Sequence, residues 1–162
     1  MPVTGWNEPF QVLMILMMFI GASPGSTGGG IKTTTFGILL LSVWAIARGK
    51  KEVVIMEREI ARESVDKAFT VTVMALVLVF AATMTLMVLE GLPFMPVLFE
   101  VVSALATVGL TTGVTLQLSP LGLFIVSMLM FIGRIGVLSL VYFLAKEEKR
   151  HFRYMKEEIL IG

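Results

Sequence analysis

Ser23-Pro24-Gly25-Ser26 and Thr107-Val108-Gly109-Leu110 are the stretches through which this chain can do chemistry, and what they offer is main-chain carbonyls. The first lies within Ala22–Lys32, a run of small residues in which four of the six positions from Gly25 to Gly30 are glycine. Glycine takes positive φ at no steric cost, so Gly25 and Gly109 allow neighbouring carbonyls to face the same way. Carbonyls turned towards one axis replace the hydration shell of a permeating cation. A second use of such a stretch is a tight turn that lets two helices pack closely. Both uses fit the pattern of either stretch alone.

Other chemistries find little support. The chain has no cysteine, so thiolate metal sites are excluded, and its single histidine, His151, sits in a charged tail, where a histidine metal site is not expected. Gly25–Thr33 imitates a phosphate-binding loop, with Gly25, Gly30, Lys32 and Thr33 in suggestive places. Ile31 intrudes between glycine and lysine, however, and that motif needs a preceding strand. The twelve methionines suit adaptable packing better than a metal path. No cofactor, catalytic residue or nucleic-acid partner is expected.

The elements that must hold the two stretches look like membrane. Of the 162 residues 56% are hydrophobic and only 15% charged, against roughly a quarter in soluble domains. Pro9–Gly21 and Thr33–Ala47 carry no charge. Phe10–Gly21 is too short to cross a bilayer, which takes about twenty helical residues, so a re-entrant half-helix is expected. Phe69–Leu89, 21 uncharged residues, reads as a transmembrane helix, and Leu121–Ala145 as a long apolar helix carrying only Arg134. Glu52–Lys67 alternates acids and bases and reads as a solvated helix. Basic residues gather in Arg48–Lys67 and in the tail from Lys146, which places 48–67 and 146–162 in the cytoplasm and the acidic connections outside.

Sliding the chain on itself by 84 residues lays Pro9-Phe10 on Pro93-Phe94, Ala22 on Ala106, Gly25 on Gly109, Thr27 on Thr111 and Gly29 on Gly113, without a gap. The repeated unit is a half-helix from outside, a glycine-centred turn and a helix to the cytoplasm. A half-helix of this kind points its partly negative C-terminal end at the membrane interior, where it attracts a cation. The repeat favours a filter over a packing turn.

Gly21–Phe36 resembles the third pore-loop motif of the Ktr/Trk/HKT potassium transporters, most of all that of KtrB-type membrane subunits. Ser103–Gly113 resembles the fourth pore loop, and Phe131-Ile132-Gly133-Arg134-Ile135-Gly136 the last helix of that family. The resemblance implies an all-α membrane protein of helix–pore loop–helix repeats, related to potassium channels. This chain would hold about one and a half to two of the four repeats, as a fragment without the first two and without the outer helix of the third. Residues 1–67 would then form the third repeat: pore helix 9–22, filter 23–29, broken inner helix 31–50 and cytoplasmic segment 50–67. Residues 68–162 would form the fourth: outer helix 69–89, pore helix 93–106, filter 107–113, inner helix 120–145 and cytoplasmic tail 146–162. Potassium would pass backbone carbonyls at Gly25 and Gly109, passively or coupled to another ion.

Within that resemblance Arg134 is a positive barrier below the filter; on pattern alone it equally ties two helices together. The family's gating loop in the third inner helix makes Thr33, Thr34, Thr35, Gly37 and Gly49 gating candidates, and Ser42 interrupts the same helix. Glu100 is either a vestibule charge or, better, a satisfied helix carboxylate, and Lys32 is expected to reach carbonyls or headgroups. The expected partners are lipid of a bacterial or archaeal cell membrane, a second copy in a homodimer, and a cytosolic nucleotide-binding ring beneath the charged segments. The alternatives are a non-conducting structural subunit and a sodium or unselective monovalent cation pathway.

Overall fold

The structure is a computed structural model and describes residues 7–26, 28–49, 54–55 and 58–136. Five α-helices carry it: α1 (Glu8–Phe19), α2 (Thr33–Ala47), α3 (Arg62–Glu90), α4 (Phe94–Leu105) and α5 (Pro120–Ile135). Between α2 and α3 lies a two-residue antiparallel ladder, β1 (Val54–Ile55) with β2 (Arg58–Glu59). A turn of 3-10 helix, Val114–Gln117, precedes α5. Local signals explain the ends. Pro9 falls in the first turn of α1 and Pro120 in that of α5, where a missing N–H costs nothing. The Ser119 hydroxyl caps α5 by accepting from the Gly122 amide at 3.2 Å. Gly91, at φ +64, stops α3 in the left-handed conformation.

Helix α4 is the centre of the fold. Val97 and every residue from Phe99 to Leu105 are buried, with α1, α3 and α5 packed around them. Helix α3 packs on α2 and α4, and its buried residues are mostly small: Ala68, Ala75, Val79, Ala82 and Thr83, with Leu86. Its large side chains, among them Phe69, Leu76, Phe80 and Val88, point away from the protein. A helix in water would bury those and expose the small ones. The inverted arrangement suits lipid, where burying a large apolar group against protein gains little and close backbone approach gains more. Among the described residues, α3 is the one helix long and apolar enough to cross a membrane.

Three expectations need correction. Residues 52–67 are not one solvated helix: a ladder stands at 54–59, and Arg62–Lys67 form the first turns of α3, which is 29 residues long. Helix α2 is unbroken from Thr33 to Ala47. Its threonines and Gly37 stay helical, and Ser42 is absorbed by donating its hydroxyl to the Ile38 carbonyl at 2.7 Å. The interruption comes only at Arg48-Gly49, where Gly49 takes φ +70. Among the described residues helix α5 ends at Ile135, where Gly136 adopts φ +90, ψ +131, and Arg134 lies in its last turn. Thr27, residues 50–53 and 56–57, the continuation of the inner helix over 137–145 and the tail 146–162 lie outside the described residues.

Candidate cation site between two glycine loops

Each glycine loop leaves the C-terminal end of a short helix. After α1 the chain pairs with its own return: Gly21 N–H donates to the Ile31 carbonyl (2.8 Å), and Ile31 N–H to the Phe19 carbonyl (3.2 Å). The Thr33 amide adds a longer bond, 3.4 Å, to the Ala22 carbonyl. Between these pins Ser23, Pro24, Gly25 and Ser26 are all exposed, while Gly29 is buried. Lys32 bridges back across it, its Nζ donating to the carbonyls of Gly28 (2.8 Å) and Ser26 (3.3 Å).

The second loop is anchored to the last turn of α4. Thr107 N–H donates to the Ala104 carbonyl and Val108 N–H to the Ser103 carbonyl, each at 3.0 Å. Thr107 takes φ +54, uncommon for a β-branched residue. Beyond Leu110 the loop is fastened from behind. Glu100, buried within α4, accepts from the Thr111 hydroxyl at 2.7 Å and from the Thr115 hydroxyl. Glu100 is thus a satisfied helix carboxylate, held by residues beyond the loop it follows in space.

The loops share a backbone conformation and meet at Gly29. Gly25 and Gly109, 84 residues apart, have φ of +82° and +81°, and neither has any atom within 4 Å of where a Cβ would stand. The loops also touch: the Gly29 amide donates to the Ala106 carbonyl (3.2 Å) and to the Thr107 hydroxyl (2.9 Å). Beside this junction opens a cavity of about 320 Å³, lined by Met17, Met18, Ile20, Gly21, Ala22, Gly28, Ala106, Thr107 and Val108. Its walls are methionine and small aliphatic groups, and its polar groups come largely from backbone. Among the described residues no cluster of histidine, cysteine or carboxylate side chains is placed to hold a metal.

The remaining candidates lie elsewhere. Thr33 adjoins the first loop through its amide, while Thr34, Thr35 and Gly37 follow along α2. Gly49 stands beyond the far end of that helix, about 20 Å of rise away. Arg134 is exposed in the last turn of α5, directly after Gly133. Gly133 and Gly29 lie within the motifs, but the motifs do not show what they touch. A Cβ on Gly133 would stand 1.9 Å from the Leu105 carbonyl oxygen, and one on Gly29 2.7 Å from the same atom. The carbonyl that ends α4 is therefore enclosed by two glycines from other elements. Spacing carries no sign of such a contact, since Gly133 lies inside an ordinary apolar helix.

The sequence model of a family described as TrkH, cation transport protein, matches residues 1–154. Ktr system potassium uptake protein B of Bacillus subtilis is 46% identical over 156 residues, covering 96% of this chain and 35% of that protein. Ktr system potassium uptake protein D of the same organism is 45% identical over 147 residues, covering 90% of this chain and 33% of its own length. The potassium/sodium uptake protein NtpJ of Enterococcus hirae is 38% identical over 158 residues, covering 93% and 35%. The chain spans about a third of the length of the curated relatives it matches.

Proposed function

The chain belongs to the TrkH family of cation transport proteins, and from that premise we propose that it forms part of a potassium-conducting membrane subunit, its two glycine loops supplying part of the selectivity filter. It is a membrane protein of a transport family. The carrying observation is the shared left-handed conformation of Gly25 and Gly109, in open space, on loops that meet through Gly29, Ala106 and Thr107. In this reading α1 and α4 are pore helices, α2 and α5 inner helices and α3 an outer helix, arranged as two repeats of one design. Carbonyls around Ser23–Ser26 and Thr107–Leu110 take the place of water about a potassium ion. The C-terminal ends of the two short helices add their partial negative charge. Two loops supply only part of a ring, so the rest comes from further polypeptide.

Arg134, one residue past the glycine that seats α5 on α4, is a fixed positive charge on the inner side of the pathway. The charged segments 48–67 and 146–162 face the cytoplasm, where a nucleotide-binding ring would dock, and a second copy would complete a homodimer.

The test is potassium uptake by the complete reading frame in a bacterial strain deficient in it, with Gly25→Ala and Gly109→Ala. Alanine finds space at both positions but pays about 1–2 kcal/mol for a left-handed backbone, so the protein still folds while the neighbouring carbonyls turn. Reduced uptake or a reduced preference for potassium over sodium is expected from each variant. Unchanged uptake and unchanged preference in both would remove the filter assignment. A sodium pathway is the second reading, favoured by the likeness to the potassium/sodium uptake protein of Enterococcus hirae. Sodium uptake that potassium fails to inhibit would select it.

A further inference from the structure

We propose that Glu100 is the positioning residue of the second glycine loop. With the hydroxyls of Thr111 and Thr115 it holds the carbonyls of Thr107–Leu110 in the direction that distinguishes potassium from sodium. The inference rests on the filter reading above and deepens it.

Glu100 is only 5% exposed, in the middle of the buried helix α4. An ionised carboxylate taken out of water is costly unless hydrogen bonds replace the lost solvation. Here both oxygens are used: Oε2 accepts from the Thr111 hydroxyl and Oε1 from the Thr115 hydroxyl. The two threonine oxygens lie 2.9 Å apart, and the Thr111 oxygen also accepts from the Gly113 amide at 3.0 Å. Gly113 itself turns left-handed at φ +96, which folds the chain so that Thr115 returns to the same carboxylate. The five residues 107–111 are therefore tied to α4 at both ends, by the Ala104 and Ser103 carbonyls at the start and by Glu100 at the finish. Gly109 lies between those two ties.

Packing alone would not need a carboxylate. The position 84 residues earlier is Leu16, an exposed apolar residue, and the first loop is fastened by the Lys32 ammonium on its carbonyls instead. The residue equivalent to Lys32 is Leu116, which is 94% exposed. The two loops thus have the same glycine geometry but different fastenings, an anion behind one and a cation across the other. A carboxylate accepts two hydroxyls at once and through charge-assisted bonds, so it suits a short segment that must not twist.

The experiment measures potassium uptake, sodium competition and the amount of protein in the membrane for the complete reading frame. The variants are Glu100→Leu, Thr111→Val, Thr115→Val and Thr111→Ser, with Gly109→Ala in parallel. Valine removes each hydroxyl at nearly constant volume, so the threonine variants decide the matter even where Glu100→Leu is lost from the membrane. Expected is a fall in potassium preference of about tenfold for Glu100→Leu, the equivalent of ~1.4 kcal/mol. Each valine variant shifts the preference the same way, and Thr111→Ser, which keeps the hydroxyl, restores it. A purely structural clamp would lower protein amount and leave the preference of the surviving protein unchanged, and that result overturns the proposal. If Gly109→Ala alters the preference while both valine variants do not, the positioning role fails and the filter reading stands. If none of them alters it, the positioning role fails, and the filter reading fails with it when Gly25→Ala and Gly109→Ala also leave uptake unchanged.

Discussion

Replacing Gly133 by alanine isolates the seam on which α5 meets the start of the second loop. The added methyl would stand 1.9 Å from the Leu105 carbonyl oxygen, 2.8 Å from its carbon and 3.2 Å from its Cα. All three are backbone atoms, so no side chain can swing aside. Restoring ordinary van der Waals separation requires α5 and α4 to part by about 1.5 Å, a displacement of the kind that costs roughly 1–3 kcal/mol in packed interiors. Leu105 is the last residue of α4, and Gly29 of the first loop leans on the same carbonyl, so the shift passes to both loops. Gly37→Ala is the matched control. Gly37 lies within α2 with nothing near its Cβ position, and alanine there gains up to about 1 kcal/mol of helix propensity. Thermal unfolding of the purified protein in detergent, alongside potassium uptake in cells, should show Gly133→Ala destabilised and poorly active. Gly37→Ala should be at least as stable as the parent. Equal melting and equal uptake for the two variants would refute the reasoning, because the seam would then be loose enough to absorb a methyl group.

Lys32→Met removes two hydrogen bonds to the Ser26 and Gly28 carbonyls while keeping the length of the side chain. The ammonium is half-exposed, so the stability change should be small, about 1 kcal/mol or less after solvent screening. The effect is expected in a raised KM for potassium, read from uptake against external concentration. Ser119→Ala deletes the cap of α5 and the hydroxyl that donates to Glu90 at 2.6 Å. A loss of about 0.5–2 kcal/mol is expected from the cap, read as a lower melting temperature.

Much of the fold was legible in the chain itself. Pro9 and Pro93 mark where the two short helices begin, and the 84-residue offset anticipates two glycines with the same left-handed φ. Glu100 was readable as a satisfied carboxylate, since a single acid in an apolar helix must find donors. Its donors were not readable, because Thr111 and Thr115 reach it only through the turn at Gly113. Polar and glycine residues in α2 misled the eye. Threonines, Gly37 and Ser42 look like breaks, but the threonines open the helix, Gly37 stays helical within it, and the Ile38 carbonyl takes the Ser42 hydroxyl. The alternating charges before Phe69 hid both the ladder at 54–59 and the early start of α3, for charge spacing reports solvation more faithfully than it reports hydrogen bonding.

What the amino-acid order determined by itself is the chemistry on offer: apolar runs of two lengths, two glycine turns in register, and no thiol. Those follow from composition and spacing, which act locally along the chain. Only the tertiary structure decided that the Leu105 carbonyl lies between Gly29 and Gly133, that Lys32 crosses the first loop and that Glu100 fastens the second. These contacts join residues from separate elements at distances set by backbone packing, and no periodicity in the chain encodes them.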